Sequence, residues 1–280
     1  MEHRNTQSAD IPKWSALLVE AVNKPGLIME AYSAFHPYST GNQILALLQC
    51  QLRGIQPGPL NTFPKWQALG RYVKRGERAL TLCMPITRKR RDEQTDTSDK
   101  VNGEAIYTSF IHRARWFVAS QTDGQELLAA PIPQWDAAQA LTNLNIERVV
   151  FDSTDGNIQG FARRRQIAIN PVAQLPHKTL FHEAAHVLLH TGEGDFTDSE
   201  LTPRSLREVE AEAVALLCCE SLGLEGVTYC RGYIQHWLSQ KTGSHDSAIP
   251  EKSAQKIFRA ADQIIRAGRP QADQSVANEQ

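Results

Sequence analysis

KTLFHEAAHVLLH, residues 178–190, decides how the second half of this chain is to be read. It sets three histidines and one glutamate within nine positions of an otherwise apolar run. At about 3.6 residues per turn, His182 and His186 stand one turn apart on the same helix face, so both imidazoles can reach one ion. Glu183 lies about 100° round the helix, poorly aimed for a ligand but near enough to take a proton from water beside the ion. An ordinary amphipathic helix with core or surface histidines would show the same spacing. The flanks argue against it, because Leu180, Phe181, Ala184, Ala185, Val187, Leu188 and Leu189 leave few polar groups to pair with the histidines. The expected cofactor is Zn2+, one per chain, which suits two imidazoles, a carboxylate and an open fourth position.

The third ligand has to come from elsewhere. His190 is rejected, because on a straight helix it stands about 12 Å along the axis from His182. A glycine would have to break the helix first, and the first one is Gly192. His190 is expected to support the site or line its cleft. The better source is LREVEAEAVALLCCESLG, residues 206–223, in which Val209, Ala213, Leu216 and Leu217 form an apolar stripe. Glu208 and Glu212 flank that stripe one turn apart, whereas Glu210 is expected on the opposite, solvated side. Glu208 is assigned as ligand and Glu212 as the acid that orients a ligand histidine. In this reading zinc polarises a water, Glu183 takes its proton, and a peptide carbonyl is attacked. Tyr233 and His236, on the following helix, could donate to the developing oxyanion, although packing is the more ordinary role for each. The strand QIAIN, residues 166–170, is expected to offer an edge to an extended peptide.

Outward from this centre, 280 residues with 41% apolar and 22% charged side chains suit one large globular domain or two of ordinary size. No apolar run approaches the ~18 residues needed to cross a bilayer, so no membrane partner is expected. The N-terminus lacks the basic-then-apolar pattern of a secretory signal. Five cysteines, odd in number and without a CxxC pair, point to a reducing compartment, the cytoplasm. Net charge is only −1, yet residues 1–120 hold 16 cationic against 10 acidic side chains, while residues 121–280 hold 14 against 21. A basic module joined to an acidic one suggests different partners.

Helical spacing marks WSALLVEAVN and ILALLQCQL, and TLCMPI and AIYTSFIHRARWFVAS alternate as antiparallel strands should. Residues 88–104 between those strands read as a mobile loop, and residues 269–280 as a disordered tail. The domain boundary is placed at 130/131. Beyond it, helices are expected at 177–191, 204–222 and 229–240, with short strands at ERVVF and QIAIN. The fold class is therefore α+β: a small N-terminal α/β nucleic-acid-binding domain, 1–130, and a mostly helical zincin-like domain with a small sheet, 131–268. In the basic half, Trp66, Arg71, Tyr72, Lys74, Arg75 and Arg78 mix rings with cations, as single-strand binders do, although a solvated basic face would look alike. The runs RKRR (88–91) and RRR (163–165) are more ordinary solvated charge.

YSTGNQILALLQC, TFPKWQALGRYVKRGERA and RWFVASQTDG, in that order before HEAAH, the acidic helix and YIQHWL, resemble ArdC-type antirestriction proteins over about residues 30–268. The resemblance implies a single-stranded-DNA-binding N-terminal domain and a metallopeptidase-like domain related to SprT and the ImmA-like peptidases. It also implies a role in protecting incoming plasmid or mobile-element DNA in the recipient cell during conjugation. A protein substrate, such as a restriction component or regulator, is the further partner expected. HEAAH departs from the family's usual HELAH or HELGH while leaving both histidines and the glutamate intact. Two alternatives stand beside this reading: a DNA-binding protective protein with a non-catalytic metal domain, and an ImmA-like peptidase that cleaves a regulator.

Overall fold

The structure is a computed structural model that describes residues 12–89, 106–128, 131–190, 202–240 and 249–270. The expected mobile loop lies largely outside the described residues, as does the expected disordered tail. The described residues fall into two compact units. One takes those up to Leu47 together with those from 131 onward, and the other runs from Leu48 to 128.

The larger unit is mostly helical. Its early elements are α1 (Trp14–Asn23), α2 (Leu27–Phe35) and the start of α3 (Thr40–Arg53). Expected as part of the basic module, α1 and α2 instead pack on helices from the far end of the chain, because Leu17, Leu18, Ala21, Val22, Ile28 and Phe35 need apolar cover. α1 has no capping side chain of its own. Glu251 supplies one, accepting hydrogen bonds from the backbone N–H groups of Trp14 and Ser15, each at 3.0 Å, and from the Ser15 hydroxyl at 2.8 Å.

In the smaller unit, β1 (Leu60–Thr62) leads directly into α4 (Phe63–Ala68), followed by β2 (Arg71–Val73), β3 (Leu80–Lys89), β4 (Ile106–Val118) and β5 (Thr122–Gly124). β3 and β4 pair antiparallel as expected, with β1 on the other side of β4, while β2 pairs with β5. Arg88 and Lys89 belong to β3 rather than to a loop. The two glycines of QALGR and QTDG are required by that second pairing. A Cβ on Gly124, at φ +125°, would lie 2.5 Å from the Gly70 carbonyl oxygen.

The larger unit resumes with α5 (Ala137–Asn143), β6 (Glu147–Arg148), β7 (Gly160–Arg163) and β8 (Gln166–Ile169). Then come α6 (Pro176–His190), α7 (Arg204–Leu222), α8 (Val227–Gln240) and α9 (Glu251–Ala267). The sheet order is β6-β8-β7, with β6 parallel and β7 antiparallel to β8. QIAIN is thus the central strand and not an edge. The sequence reading missed β7, whose four residues GFAR lack a clear alternation. α7 is buried all round from Val209 to Ser221 and packs against α2, α6, α8 and α9. Such a helix is the middle of a core. The α+β class holds.

Candidate metal centre

α6 and α7 build the site between them. Thr179, Leu180, Phe181, Ala184, Ala185, Val187, Leu188 and Leu189 are buried, which fixes the rotation of α6 and turns His182 and His186 together. Their Nε2 atoms stand 3.1 Å apart. Glu208 Oε2 lies 3.5 Å from His182 Nε2 and 3.7 Å from His186 Nε2. These three ligand atoms all lie within 4.8 Å of one another, the one His/Cys/Asp/Glu group of that kind among the described residues.

Glu212, Glu210 and His190 each have a partner nearby. Glu212 Oε1 lies 3.2 Å from His182 Nδ1 and accepts a hydrogen bond from the Lys178 ammonium. The imidazole contact is within reach but is not aligned as a hydrogen bond. Burial alone would raise the Glu212 carboxyl, but His182 and Lys178 outweigh it and hold the acid well below the usual range. Burial likewise disfavours charged Lys178, and the Glu212 carboxylate reverses that. Glu210 departs from expectation. It is 1% exposed and takes His190 Nε2 at 2.9 Å, so it is an inward-facing acid and not a solvated one. The reason is that α7 has no solvent face at this point. His190 Nδ1 lies 2.9 Å from His186 Nδ1, which places His190 behind His186 and away from the converging ligand atoms.

The donor set fits a divalent cation. His182 and His186 turn their Nδ1 atoms to other protein groups and their Nε2 atoms towards each other and towards an acid. Two imidazole nitrogens and a carboxylate oxygen converging in this way favour a positive charge between them, whether a proton or a metal ion. The electrostatics agree. Burial would lower the His182 imidazole, yet the Glu208 and Glu212 carboxylates push it up to about 9. The His182 and His186 imidazoles beside it hold the Glu208 carboxyl far below the ordinary carboxylate range. Both directions express a centre that attracts cationic charge.

A cleft of about 880 Å3 opens over these residues, with Gly160, Phe161 and Ala162 of β7 along one wall and His182, Glu183 and His186 on another. Gly160 is what lets β7 approach. A Cβ there would lie 2.7 Å from Thr179 Cγ2, 2.9 Å from the Ala168 carbonyl oxygen and 3.1 Å from Glu183 Cγ. Glu183 is buried, and burial raises its carboxyl although both histidines pull it down. Burial also raises the Tyr233 phenol, reinforced by Glu208 and Glu212, so this half-exposed ring stands within the field of the centre. His236, by contrast, faces Gln240 at 2.8 Å.

The six residues expected at a nucleic-acid surface divide sharply. Trp66 is 0% exposed and donates its indole N–H to the Phe117 carbonyl oxygen at 2.8 Å. It is a core residue and offers no face to a base. Arg71 is spent on the β2–β5 junction, donating to the Thr122 hydroxyl at 2.9 Å, to the Thr122 carbonyl at 3.0 Å and to the Gln125 carbonyl. Tyr72 is 58% exposed, and Lys74, Arg75 and Arg78 are exposed too, with Lys74 reaching the Ser120 carbonyl at 3.0 Å. β4 adds exposed Phe110, Arg113 and Arg115, which the HRAR run could have signalled. Arg163 covers Phe161 at 4.4 Å, Arg164 takes φ +52° in the β7–β8 turn, and Arg165 donates to the Leu144 and Asn145 carbonyls. That basic run is the chemistry of a turn.

Three comparisons bear on this geometry. Residues 13–113 match the model of a family described as the N-terminal domain of anti-restriction factor ArdC. No curated protein matches. The metal-free crystal structure of the antirestriction ArdC protein from the R388 plasmid is similar at a TM-score of 0.53 and 19% identity, over 95% of this chain and 98% of that one. Its Mn(II)-bound structure is similar at a TM-score of 0.52 and 17% identity, over 91% and 97%. At these identities the likeness speaks for the fold.

Proposed function

We propose, from the premise that this chain is of the ArdC type in its N-terminal domain and in its fold, that it is an antirestriction protein. It binds single-stranded DNA and carries a gluzincin-like, zinc-dependent endopeptidase centre. The carrying observation is the convergence of His182, His186 and Glu208 beside a buried Glu183 at the wall of a cleft. His182 and His186 would hold the ion through Nε2 and Glu208 through a carboxylate oxygen. Glu212 orients His182, and Glu183 is the catalytic base. A structural site has no use for such a base, so its presence favours catalysis over a purely binding role. That the R388 relative was crystallised with Mn(II) supports a divalent ion here. Two nitrogens and one carboxylate suit zinc.

A bound ion supplies Lewis acidity, which makes water nucleophilic near neutral pH. Glu183 accepts the proton, and its raised carboxyl suits it to hand that proton on to a leaving amine. β7, the strand at the sheet edge beside the cleft, offers backbone groups to an extended peptide, the role first expected of QIAIN. The protein substrate is a restriction component or regulator. Tyr72, Lys74, Arg75 and Arg78 serve the DNA, and the functional division stays near residue 130. Among the described residues no helix is long and apolar enough to cross a membrane. The proposed place of action is the cytoplasm of a cell receiving plasmid DNA.

Metal analysis of the purified chain, combined with oligonucleotide binding, tests both halves. The expected result is one divalent ion per chain, with affinity weakened by more than ~100-fold in Glu208→Ala. Single-stranded DNA is expected to bind more tightly than duplex, with affinity falling steeply with salt. A chain that takes up no ion loses the enzymatic half. Binding that ignores ionic strength removes the DNA half.

A further inference from the structure

We propose that Glu210 and His190 form a two-link positioning relay that dictates which nitrogen of His186 is free to hold the ion. This rests on the metal-centre reading and adds a function for two residues on which that reading does not call.

His190 and Glu210 side chains are 5% and 1% exposed, so water does not compete for their contact, and Nε2 stands 2.9 Å from Oε2. A carboxylate only accepts, so the hydrogen in this contact sits on His190 Nε2. In a neutral imidazole the other nitrogen is then a lone pair. His190 Nδ1 therefore accepts, and the atom 2.9 Å away, His186 Nδ1, donates. With its hydrogen on Nδ1, His186 presents a lone pair at Nε2, the atom that faces His182 Nε2 and Glu208. Removing the acid frees His190 to turn its own hydrogen onto Nδ1, which forces the His186 hydrogen to Nε2 and blocks the ligand position.

The two ligand histidines are thus set by different means. His182 has Glu212 directly at its Nδ1, 3.2 Å away. His186 Nδ1 instead faces His190, one turn further on, and His190 in turn meets the α7 acid Glu210. This accounts for a histidine at position 190 and for a glutamate at 210 whose burial would otherwise be a liability.

The test uses the full-length chain, with Zn(II) and Mn(II) affinity measured by competition against a chromophoric chelator and Co(II) absorption as a report on ligand geometry. Glu210→Gln keeps the shape and removes the charge. It is expected to weaken metal binding by about 10–100-fold and to alter the Co(II) spectrum, while the melting temperature of the metal-free protein moves little. His190→Phe is expected to weaken metal binding and alter the spectrum to the same degree, at a cost in stability because it leaves Glu210 buried without its partner, and it carries the test if Glu210→Gln does not fold. The combined variant should bind no worse than His190→Phe alone, because Glu210 acts only through His190, whereas Glu212→Gln should add its own loss. If Glu210→Gln leaves affinity and spectrum unchanged while Glu208→Ala abolishes binding, the relay is overturned and the metal centre stands. Losses that sum in the combined variant also overturn it. A wild-type chain that binds none of the three ions overturns both.

Discussion

The α6–α7 centre and the basic unit differ in how their polar side chains are used. In the centre, every acid of the REVEAE run meets an imidazole: Glu208 faces two histidines, Glu210 a third, and Glu212 both His182 and Lys178. Glu210 and Glu212 are buried and Glu208 and its two histidines partly so, and their geometry follows from two packed helices. In the basic unit, the residues that looked most like a binding platform are divided between core and surface. Trp66 and Arg71 hold the unit together, and Tyr72 with the following cations faces outward. The difference teaches that burial selects for partnered polar groups, and therefore leaves a pattern, whereas a solvated surface tolerates cations with or without a ligand.

Four perturbations test this contrast, in falling order of effect. Glu183→Gln should cut any peptide hydrolysis by ~10²–10⁴-fold while metal content and oligonucleotide affinity remain as in the parent. Undiminished turnover in that variant removes Glu183 from the chemistry. Trp66→Ala should lower the stability of the basic unit by about 3–5 kcal/mol, seen as an earlier unfolding transition in denaturant. A variant that folds normally but binds DNA poorly would return Trp66 to the interface. Tyr72→Ala should instead leave stability alone and weaken single-strand binding by ~1–3 kcal/mol, the scale of one base stacked on a ring. Equal binding by parent and variant moves the interface elsewhere, with exposed Phe110 the next ring to try.

The smallest effect concerns the cap between the two ends of the larger unit. Burial disfavours the Glu251 carboxylate, but the Ser15 and Trp14 donors together outweigh it and lower its pKa. A lowered folded pKa means stabilisation that is present above the unfolded carboxylate pKa and lost as pH falls through the folded value. Glu251→Gln should therefore cost about 1 kcal/mol near pH 7, with parent and variant converging as the solution is acidified. A gap that grows towards low pH would show that the carboxylate is not what caps α1.

Much of the centre was legible before any coordinates. The pair His182 and His186 follows from helical period alone, and Glu208 and Glu212 from the same period on a neighbouring helix whose apolar stripe had to face a core. Glu210 was misread because a stripe argument assumes that a helix has a dry side and a wet side. α7 has none at that point. β7 escaped because its four residues, GFAR, carry no alternation, and only pairing with β8 makes them a strand. The early helices were assigned to the wrong neighbours for a related reason. Their apolar spacing says that they pack, but not against what.

By itself, then, this sequence determined the type of each long element, the α+β class and the set of side chains able to grip an ion, because these depend on periodicities that act over a few residues. Only the tertiary structure decided that Trp66 is core, that β7 rather than β8 lines the cleft and that Glu210 turns inward. Those outcomes depend on which surfaces meet across long stretches of chain, and burial, not spacing, determines whether a polar group must find a partner.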